Sequence, residues 1–553
     1  MPDVTPTTLA RPPITANYDV VIVGAGFGGL YQLHRLRALG LTARVIEAGA
    51  GVGGTWYWNR YPGARCDVES MQYSYAFSEE LQQEWQWPEL FSAQPDILNY
   101  ANHVADKLDL RRDILFDTRV TETRFNDATN TWAVQTSAGD HFTAGFLVMA
   151  TGCLSSAREP AFPGRDSFKG KTYHTGAWPH EGVDFTGLRV GIIGTGSSAI
   201  QSIPEIAAQA AHLTVFQRTP NYSIPSRNVP MTADYANEWK RDYATLRDKA
   251  RGTRNGILAN PNDFSALSVS PEERTRIYEQ RWVSGGTTFM AAFNDLIFSQ
   301  EANDTAAEFV RGKIRGIVKD PATAALLAPN DHPIGTKRIC VDTAYFETYN
   351  RPNVELIDVR SAPIEAITPT GLRTTNASYD FDVIVFATGF DAMTGALTRI
   401  DIHSTDGSTL KAKWEDGPRT YLGLMCAHFP NLFMITGPGS PSVLSNMHVS
   451  IEQDVDWITQ CLTDLRARGV RRIEATQDAE DNWVLHGIEV ANKTLYPRAA
   501  SWYMGANIEG KPRVFMPYIG GVAAYKEKCA EVAANGYTGF RLTGAAEAAQ
   551  AAE

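Results

Sequence analysis

The sequence lacks long apolar runs and an excess of basic residues, and both absences restrict its partners. No apolar stretch reaches the roughly 20 residues that a membrane-spanning helix needs. The formal charge is −11, with 51 Lys and Arg against 62 Asp and Glu, so no basic face is available to displace counterions from nucleic acid. Residues 1–17 are polar and lack the basic start and apolar core of a signal peptide. We therefore expect a cytoplasmic protein with no membrane, nucleic-acid or obligate protein partner.

The cysteine patterns of redox and metal proteins are also missing. There is no C-x-x-C pair, and no cysteine stands at zinc-ligand spacing from a histidine. This disfavours a disulfide reductase and predicts no metal site. The six cysteines, which we expect to be buried thiols, are Cys66, Cys153, Cys340, Cys426, Cys461 and Cys529.

A glycine-rich motif near the N-terminus predicts a dinucleotide site. The β-branched run at 18–23 leads into the sequence GAGFGG at 24–29, leucines follow at helical spacing, and a second strand ends at Glu47. Gly24 allows a tight turn, Gly26 admits the pyrophosphate, and Gly29 lets helix and strand pack closely. Glu47 stands where a carboxylate accepts hydrogen bonds from a ribose diol. The first strand, the glycine turn, the helix and the acidic end of the second strand all fit a dinucleotide-binding unit. A G-x-G-x-x-G motif without them would be weak evidence for such a site.

The segment that follows, 51–67, combines two glycine pairs with a cluster of aromatic residues. Such a loop is costly to leave in water, so we expect it to lie over a flat ring, for which a flavin is the natural candidate. The alternative is an aromatic corner that packs on the core. Asp67 ends this apolar stretch, and a carboxylate there needs a cationic partner from elsewhere in the chain.

A second glycine motif predicts a second nucleotide fold with a different cofactor. A strand at 188–193 precedes the sequence GTGSSA at 194–199, a tolerated variant in which Ser197 and Ser198 add hydroxyl groups near the phosphates. The position that corresponds to Glu47 is Gln217, followed by Arg218. A carboxylate repels a 2′-phosphate, whereas a neutral Gln and an Arg accept it. The second site should therefore hold NADPH and the first FAD.

Two further segments bear on the organisation of the chain. The strand ending Ala-Thr-Gly at 150–152 has a counterpart at 387–389, as expected if the chain leaves a first domain, builds a second and returns. Residues 231–330 alternate charged and apolar positions at helical spacing, which predicts an inserted helical subdomain. Lys337 and Arg338 then form a basic pair, either a solvated one or the partners that Asp67 and an NADPH phosphate require.

With these motifs in order, the chain resembles the type I Baeyer–Villiger monooxygenases over positions 18–545. Residues 168–179, including His174, match that family's F-x-G-x-x-x-H-x-x-x-W-P/D signature, with Pro179 at its last position, and the two glycine motifs flank it in the expected order. The segment from Gly54 to Asp67 matches a second family pattern, and 437–447 is most similar to phenylacetone and steroid monooxygenases. The resemblance implies a signature that lies on the linker between the nucleotide domains, with a histidine that serves domain movement rather than acid–base chemistry.

The resemblance also implies the activity: NADPH- and O2-dependent conversion of ketones to esters or lactones, with sulfide oxidation as a further activity. The reaction would pass through an FAD peroxide stabilised by Arg338, which Asp67 would orient. Lys337 would bind the 2′-phosphate beside Arg218. The alternatives are an N- or S-oxidising flavin monooxygenase and a non-catalytic flavoprotein that senses NADPH.

The expected FAD-binding residues are Gly24, Gly26, Phe27, Gly29, Glu47, Thr55, Trp56, Tyr57, Trp58, Asp67, Tyr73, Val120 and Met447. The expected NADPH-binding residues are Arg65, Gly194, Thr195, Gly196, Ser197, Ser198, Ala199, Gln201, Arg218, Thr219, Lys337, Arg338 and Trp502. The predicted fold class is α/β with two Rossmann-like domains. The FAD domain would comprise 1–150 and 388–553, the NADPH domain 151–230 and 331–387, and the helical insertion 231–330.

Overall fold

The computed structural model of this chain describes residues 11–544. The fold is α/β, as the sequence predicts, and is built around two sheets rich in parallel strands. The sequence predicts a disordered Ala-, Glu- and Gln-rich tail from Gly544 onward; Gly544 itself ends a strand, and the rest of that tail, like residues 1–10, lies outside the described residues.

The strands are β1 (Thr15–Val23), β2 (Ala43–Ile46), β3 (Ile114–Leu115), β4 (Val120–Asn126), β5 (Thr131–Thr136), β6 (His141–Met149), β7 (Lys171–His174), β8 (Arg189–Ile193), β9 (His212–Gln217), β10 (Ser223–Pro225), β11 (Cys340–Asp342), β12 (Val354–Asp358), β13 (Ile364–Thr368), β14 (Gly371–Thr374), β15 (Ser378–Asp380), β16 (Val383–Phe386), β17 (Asp401–His403), β18 (Leu432–Met434), β19 (Val470–Ala475) and β20 (Phe540–Gly544).

The α-helices are α1 (Phe27–Ala38), α2 (Thr55–Trp58), α3 (Glu79–Glu84), α4 (Gln94–Lys107), α5 (Ser197–Gln209), α6 (Ala233–Arg251), α7 (Pro271–Ser284), α8 (Gln300–Ile317), α9 (Pro321–Leu327), α10 (Tyr345–Thr348), α11 (Gly395–Thr398), α12 (Leu410–Lys413), α13 (Met447–Ala467), α14 (Gln477–Asn492) and α15 (Val522–Ala534).

The first sheet has the strand order β17-β4-β5-β6-β1-β2-β3, and β18 pairs with the end of β6. Its centre is parallel, because β1 pairs in parallel with both β2 and β6. Strands β17 and β18 come from the C-terminal part of the chain, so the chain returns to this sheet after building the second one. The second sheet has the order β12-β9-β8-β16-β7, and every pair in it is parallel.

Each central strand is buried on both faces, as its β-branched composition requires. Along β1, Val20 and Ile22 pack into one core while Val21 and Val23 pack into another on the opposite face. The same alternation occurs in the second sheet. The ends of these strands are therefore fixed in position, and the glycine turns that follow them begin from rigid supports.

The segment 231–330 is largely helical, but its helices belong to two different cores. Trp239 and Tyr243 of α6 pack with the residues under the first sheet. Tyr278 and Trp282 of α7 pack with those under the second. The segment therefore spans the two nucleotide folds, and the domain boundaries proposed from the sequence stay a prediction.

Within residues 11–544, no helix is long and apolar enough to cross a membrane. The same part of the chain contains no group of three or more His, Cys, Asp or Glu side chains that could hold a metal ion. All six cysteines are free and buried.

Candidate active site

One large cavity lies between the two nucleotide folds and contains nearly all of the predicted site residues. Its volume is about 1520 Å³, which exceeds the roughly 300–1,000 Å³ of an ordinary small-molecule site. Every predicted site residue lines it except Gly29, Tyr57 and Ala199. The cavity brings residues separated by hundreds of positions into one space.

The first glycine of each motif makes a turn that no other residue would allow. Gly24 has a φ of +106°, and a Cβ there would lie 2.5 Å from the carbonyl oxygen of Ala150. Gly194 has a φ of +117°, and its Cβ would lie 2.4 Å from the carbonyl oxygen of Ala387. Each glycine therefore contacts the Ala-Thr-Gly ending of its own sheet, which accounts for the repetition of that ending in the sequence.

The helices that follow these turns offer uncapped N-termini to the cavity. Helix α1 begins after Gly26 and helix α5 after Gly196, and neither helix has a side-chain cap. A Cβ at Gly196 would meet no atom within 4 Å, so packing within the protein does not require glycine there. Uncapped helix N-termini bind pyrophosphate well. Gly29 lies outside the cavity because it serves packing: its Cβ would meet the carbonyl oxygen of Gly24 at 1.9 Å.

Asp67 and Arg338 form a bidentate ion pair in the cavity wall. Arg338 Nε donates to Asp67 Oδ2 at 3.0 Å, and Nη2 donates to Oδ1 and Oδ2 at 2.7 and 2.6 Å. Nη1 donates to the carbonyl oxygen of Val443 at 3.1 Å. The carboxylate raises the pKa of Arg338 further above its ordinary value, so the guanidinium stays charged. The pair joins positions 271 residues apart.

The loop that carries Asp67 is held by helix α5 of the second fold. Tyr61 donates through its hydroxyl to Gln201 Oε1 at 2.9 Å, and Gln201 Nε2 donates to the carbonyl oxygen of Arg65 at 3.1 Å. The Arg65 guanidinium pairs with Glu89. Gln201 therefore connects the two folds with both ends of its side chain, although the sequence indicated it only as a nucleotide contact.

Glu47 lies at the first glycine turn, as its spacing predicts, and is 5% exposed. Oε2 accepts a hydrogen bond from the backbone N–H of Ala25 at 2.6 Å, and Oε1 accepts one from Gly49 at 2.7 Å. Burial raises the pKa of Glu47 against the effect of these two donors. Each carboxylate oxygen keeps a second lone pair, so the arrangement is compatible with the predicted ribose contact.

The aromatic residues of the 51–67 segment do not all face the cavity. Trp56 and Trp58 line it, and Trp56 Nε1 donates to the hydroxyl of Tyr73 at 3.1 Å. Tyr57 turns away: its hydroxyl accepts from the N–H of Ala50 at 3.0 Å, and its ring packs edge-on against His180. Tyr57 does not line the cavity, which argues against the direct cofactor contact that the sequence predicts for it.

The far end of the cavity, at the second sheet, is basic. Arg218 and Lys337 line it, and neither makes a hydrogen bond or ion pair with any residue in the range 11–544. Burial lowers the pKa of Lys337. The Thr195 hydroxyl donates to the carbonyl oxygen of Thr219 at 2.8 Å, which fixes the turn that carries Arg218. Lys337 is part-buried and Arg218 is exposed at the cavity wall, so an anionic ligand would offset the cost of burying the Lys337 charge and would bring it together with a second cation.

The structure corrects the expected role of Gln217. Its side chain is 2% exposed and donates through Nε2 to the carbonyl oxygen of Leu326 at 2.8 Å. It does not line the cavity. The second fold thus has a neutral side chain where the first fold has the Glu47 carboxylate, but Gln217 offers no hydrogen bond to a phosphate.

The signature segment 168–179 forms the edge strand β7 of the second sheet and the turn after it, so it lies within that sheet and does not form a separate linker. His174 Nε2 lies 3.0 Å from the carbonyl oxygen of Arg158 and 3.2 Å from Thr388 Oγ1, and Nδ1 accepts from the N–H of Gly176. Burial lowers the pKa of His174. The ring thus contacts both segments that run between the two sheets, the one that contains Arg158 and the one that contains Thr388. Its role in domain movement stays a prediction.

Several charged residues of the cavity wall belong to no sequence motif, among them Arg158, Asp331 and Arg360. Arg158 lies on the segment that leads from β6 of the first sheet to β7 of the second, and Asp331 and Arg360 lie beside Arg218. Only the pairing of β12 with β9 brings Arg360 to this position, so no local pattern could have indicated it.

Comparisons with known proteins identify the family. The family model described as "Pyridine nucleotide-disulphide oxidoreductase" matches residues 21–245. A Baeyer–Villiger monooxygenase of Pseudooceanicola batsensis (strain ATCC BAA-863 / DSM 15984 / KCTC 12145 / HTCC2597) is 43% identical over 95% of this chain and 96% of its own. The phenazine N-monooxygenase PhzNO1 of Lysobacter antibioticus is 40% identical over 95% and 97%.

Solved structures agree with this result. An oxidized steroid monooxygenase bound to NADP is 54% identical, with a TM-score of 0.91 over 95% of this chain and 99% of the other. A structure of OTEMO in complex with FAD and NADP is 40% identical, with a TM-score of 0.92 over the same shares. The chain belongs to the Baeyer–Villiger monooxygenase family of flavoprotein oxygenases.

Proposed function

We propose that this chain uses NADPH and O2 to insert one oxygen atom beside the carbonyl of a ketone, giving an ester or lactone, with FAD as its bound cofactor. The observation that carries the proposal is the Asp67–Arg338 pair, a fixed cation in the wall of a cavity that both glycine turns enter. Family membership supports the same reaction class.

The residues present fit both cofactors. Two uncapped helix N-termini suit two pyrophosphates, and the cavity is large enough for two dinucleotides. We assign FAD to the first fold, where Glu47 faces a ribose diol, and NADPH to the second, where Arg218 and Lys337 face a 2′-phosphate. FAD, when bound, supplies the reduced ring that activates O2.

Arg338 has a hydrogen-bond donor to spare for the reacting groups. A guanidinium has five N–H donors. Nε and Nη2 serve Asp67, and one N–H of Nη1 serves Val443, so the second N–H of Nη1 is available to a group in the cavity, in competition with the nearby Tyr503 hydroxyl. A positive charge that cannot be lost and is already oriented stabilises negative charge that develops on a reacting oxygen.

Asp67 acts through Arg338. Its two oxygens hold the guanidinium in one plane, so the free N–H of Nη1 keeps its direction without a reorganisation cost. By the same assignment Trp502, on the cavity wall, contacts the nicotinamide portion of NADPH. The expected FAD neighbours Thr55, Val120 and Met447 line the cavity too.

A second candidate function is the oxidation of nitrogen. The 40% identity to a phenazine N-monooxygenase favours it, because an enzyme of that name shares the family and nearly the full length. Both reactions add one oxygen atom, so product mass alone does not separate them.

The experiment incubates the purified FAD-loaded protein with NADPH, O2 and two panels, one of cyclic and open-chain ketones and one of heteroaromatic amines. Mass spectrometry finds the added oxygen, and NMR distinguishes an ester or lactone from an N-oxide. We expect esters or lactones at a higher kcat/KM than N-oxides. N-oxides without any ester would overturn the proposal in favour of the second candidate.

Arg338→Ala tests the site. We expect ester formation to fall by about 100- to 1,000-fold, the effect of removing one oriented donor from a reacting oxygen. NADPH oxidation should continue, with its two electrons reducing O2 to hydrogen peroxide. Arg338→Lys keeps the charge without the planar fork and should recover part of the rate. Ester formation at the wild-type rate in Arg338→Ala would contradict the assigned role.

A further inference from the structure

Arg360 lies beside the proposed 2′-phosphate site because of strand register. Strands β12 and β9 are parallel neighbours and end together, with Asp358 opposite Gln217. The N–H of Val359 donates to the carbonyl oxygen of Gln217 at 2.9 Å, which continues the pairing past the strand ends. Arg360 therefore extends from the same sheet edge as Arg218. Ligands of parallel α/β sheets bind beyond the carboxyl ends of the strands.

The Arg360 guanidinium is directed into the cavity and held by two contacts. Nη2 donates to Thr219 Oγ1 at 3.2 Å and pairs with the Asp331 carboxylate. The other oxygen of Asp331 lies 2.6 Å from His332 Nδ1, which fixes the carboxylate. Both Arg360 and Asp331 line the cavity, and the Arg360 side chain is 43% exposed. The guanidinium thus faces the cavity and keeps N–H donors for a ligand.

The charges at this end of the cavity do not balance. Arg218, Lys337 and Arg360 are cations, and Asp331 is the carboxylate paired with one of them. His332 and Arg360 hold the pKa of Asp331 below its ordinary range, so the carboxylate is ionised. Arg158 also interacts with Arg218, and Glu509 interacts with Arg158, so cations still outnumber carboxylates here and leave room for a further anion. A dianionic phosphate is a stronger acceptor for an arginine fork than a carboxylate.

We propose that Arg360 is a third cation of the 2′-phosphate site, and that Asp331 competes with the phosphate for it. This inference rests on the proposed function, which places NADPH in the second fold. A nucleotide without the 2′-phosphate leaves the Arg360–Asp331 pair intact, whereas one that carries it draws the guanidinium away. Arg360 then contributes to the preference for NADPH over NADH and not to nucleotide binding in general.

Binding is measured without turnover, by calorimetric titration of the FAD-loaded protein with adenosine 2′,5′-bisphosphate and, separately, with 5′-AMP. We expect Arg360→Ala to weaken bisphosphate binding by about 10-fold, the effect of one hydrogen bond to a charged group, and to leave 5′-AMP unchanged. Arg360→Lys should lie between. Arg373→Ala is the matched control, because this exposed arginine also pairs with a carboxylate, at 2.9 Å, but lies outside the cavity.

Asp331→Asn tests the competition. Removing the charge should tighten bisphosphate binding by about threefold or more, and the gain should disappear when Arg360 is also alanine. Weaker or unchanged bisphosphate binding in Asp331→Asn would overturn the competition.

Arg218→Ala distinguishes a failure of the role proposed for Arg360 from a failure of the NADPH-site assignment. If Arg218→Ala abolishes discrimination between the two nucleotides and Arg360→Ala binds both like the wild type, this inference is wrong and the NADPH site stands. If neither variant changes the discrimination, the assignment of the NADPH site is wrong as well.

Discussion

Gly196→Ala separates cofactor approach from protein stability at one position. A Cβ at Gly196 meets no protein atom within 4 Å and enters the cavity at the start of helix α5. The backbone there has φ −84° and ψ −174°, which alanine adopts without strain. The substitution therefore changes the surface that a pyrophosphate would approach and leaves the packing of the protein as it is.

The magnitudes follow from these contacts. Alanine at a helix N-cap is less favourable than glycine. Alanine also reduces the conformational entropy of the unfolded chain, which stabilises the folded protein by about 0.4–1 kcal/mol, so the two effects on the free energy of unfolding offset each other. The free energy of unfolding should change by less than about 1 kcal/mol. A methyl group in the approach path displaces the phosphates from the helix N-terminus, and NADP+ binding should weaken by about 10-fold or more.

The assay combines thermal unfolding, FAD content and titration with NADP+. Gly316→Ala is the matched control, because its Cβ also meets no atom within 4 Å but lies on the exposed surface of α8. Gly194→Ala is the opposite case, with a φ of +117° and a Cβ 2.4 Å from Ala387, and should unfold at a clearly lower temperature. Wild-type NADP+ affinity in Gly196→Ala would refute the reasoning.

Two further predictions concern buried ionisable side chains. Arg247 is 3% exposed and donates to two backbone carbonyls and to Ser74 at 2.6 Å, so Arg247→Met should lower the free energy of unfolding by about 2 kcal/mol; an unchanged urea midpoint would contradict this. Burial raises the pKa of Asp454 to about 7, against donors from Thr436 and Tyr525. The stability that the protonated Asp454 contributes is complete below the unfolded-state pKa of about 3.9 and is lost as the pH rises through 7, with a slope of at most about 1.4 kcal/mol for each pH unit. Urea unfolding from pH 4 to 8 should show a weaker decline in Asp454→Asn, and an equal slope in both proteins would be inconsistent with it.

Features that depend on a few consecutive residues could be predicted from the sequence. Both strand–turn–helix units appear where their glycines predict them, because a positive φ and close backbone approach are requirements of the local chain. The need of Asp67 for a cation was also evident, since an unpaired carboxylate in an apolar loop is costly. The choice of Arg338 as its partner came from the resemblance, and the distances agree with it.

Side-chain directions were predicted less well, because packing with distant segments decides them. Gln217 occupies the expected position, but Leu326 supplies a buried acceptor, and the side chain turns away from the cavity. Tyr57 belongs to an aromatic cluster that points at the cavity, yet its ring packs under the Gly49 turn and against His180. Neither outcome is encoded in the spacing of the motif.

Short segments of the sequence suffice to predict the two nucleotide folds, their order and the charge that distinguishes them, because these features depend on steric limits and side chains within a few residues. Packing between distant segments sets how the 231–330 helices divide between two cores, and it brings His174 against Arg158 and Thr388. The tertiary structure also places Arg360 beside Arg218. Strand register sets that contact, and register depends on the pairing of whole strands that lie far apart in the chain.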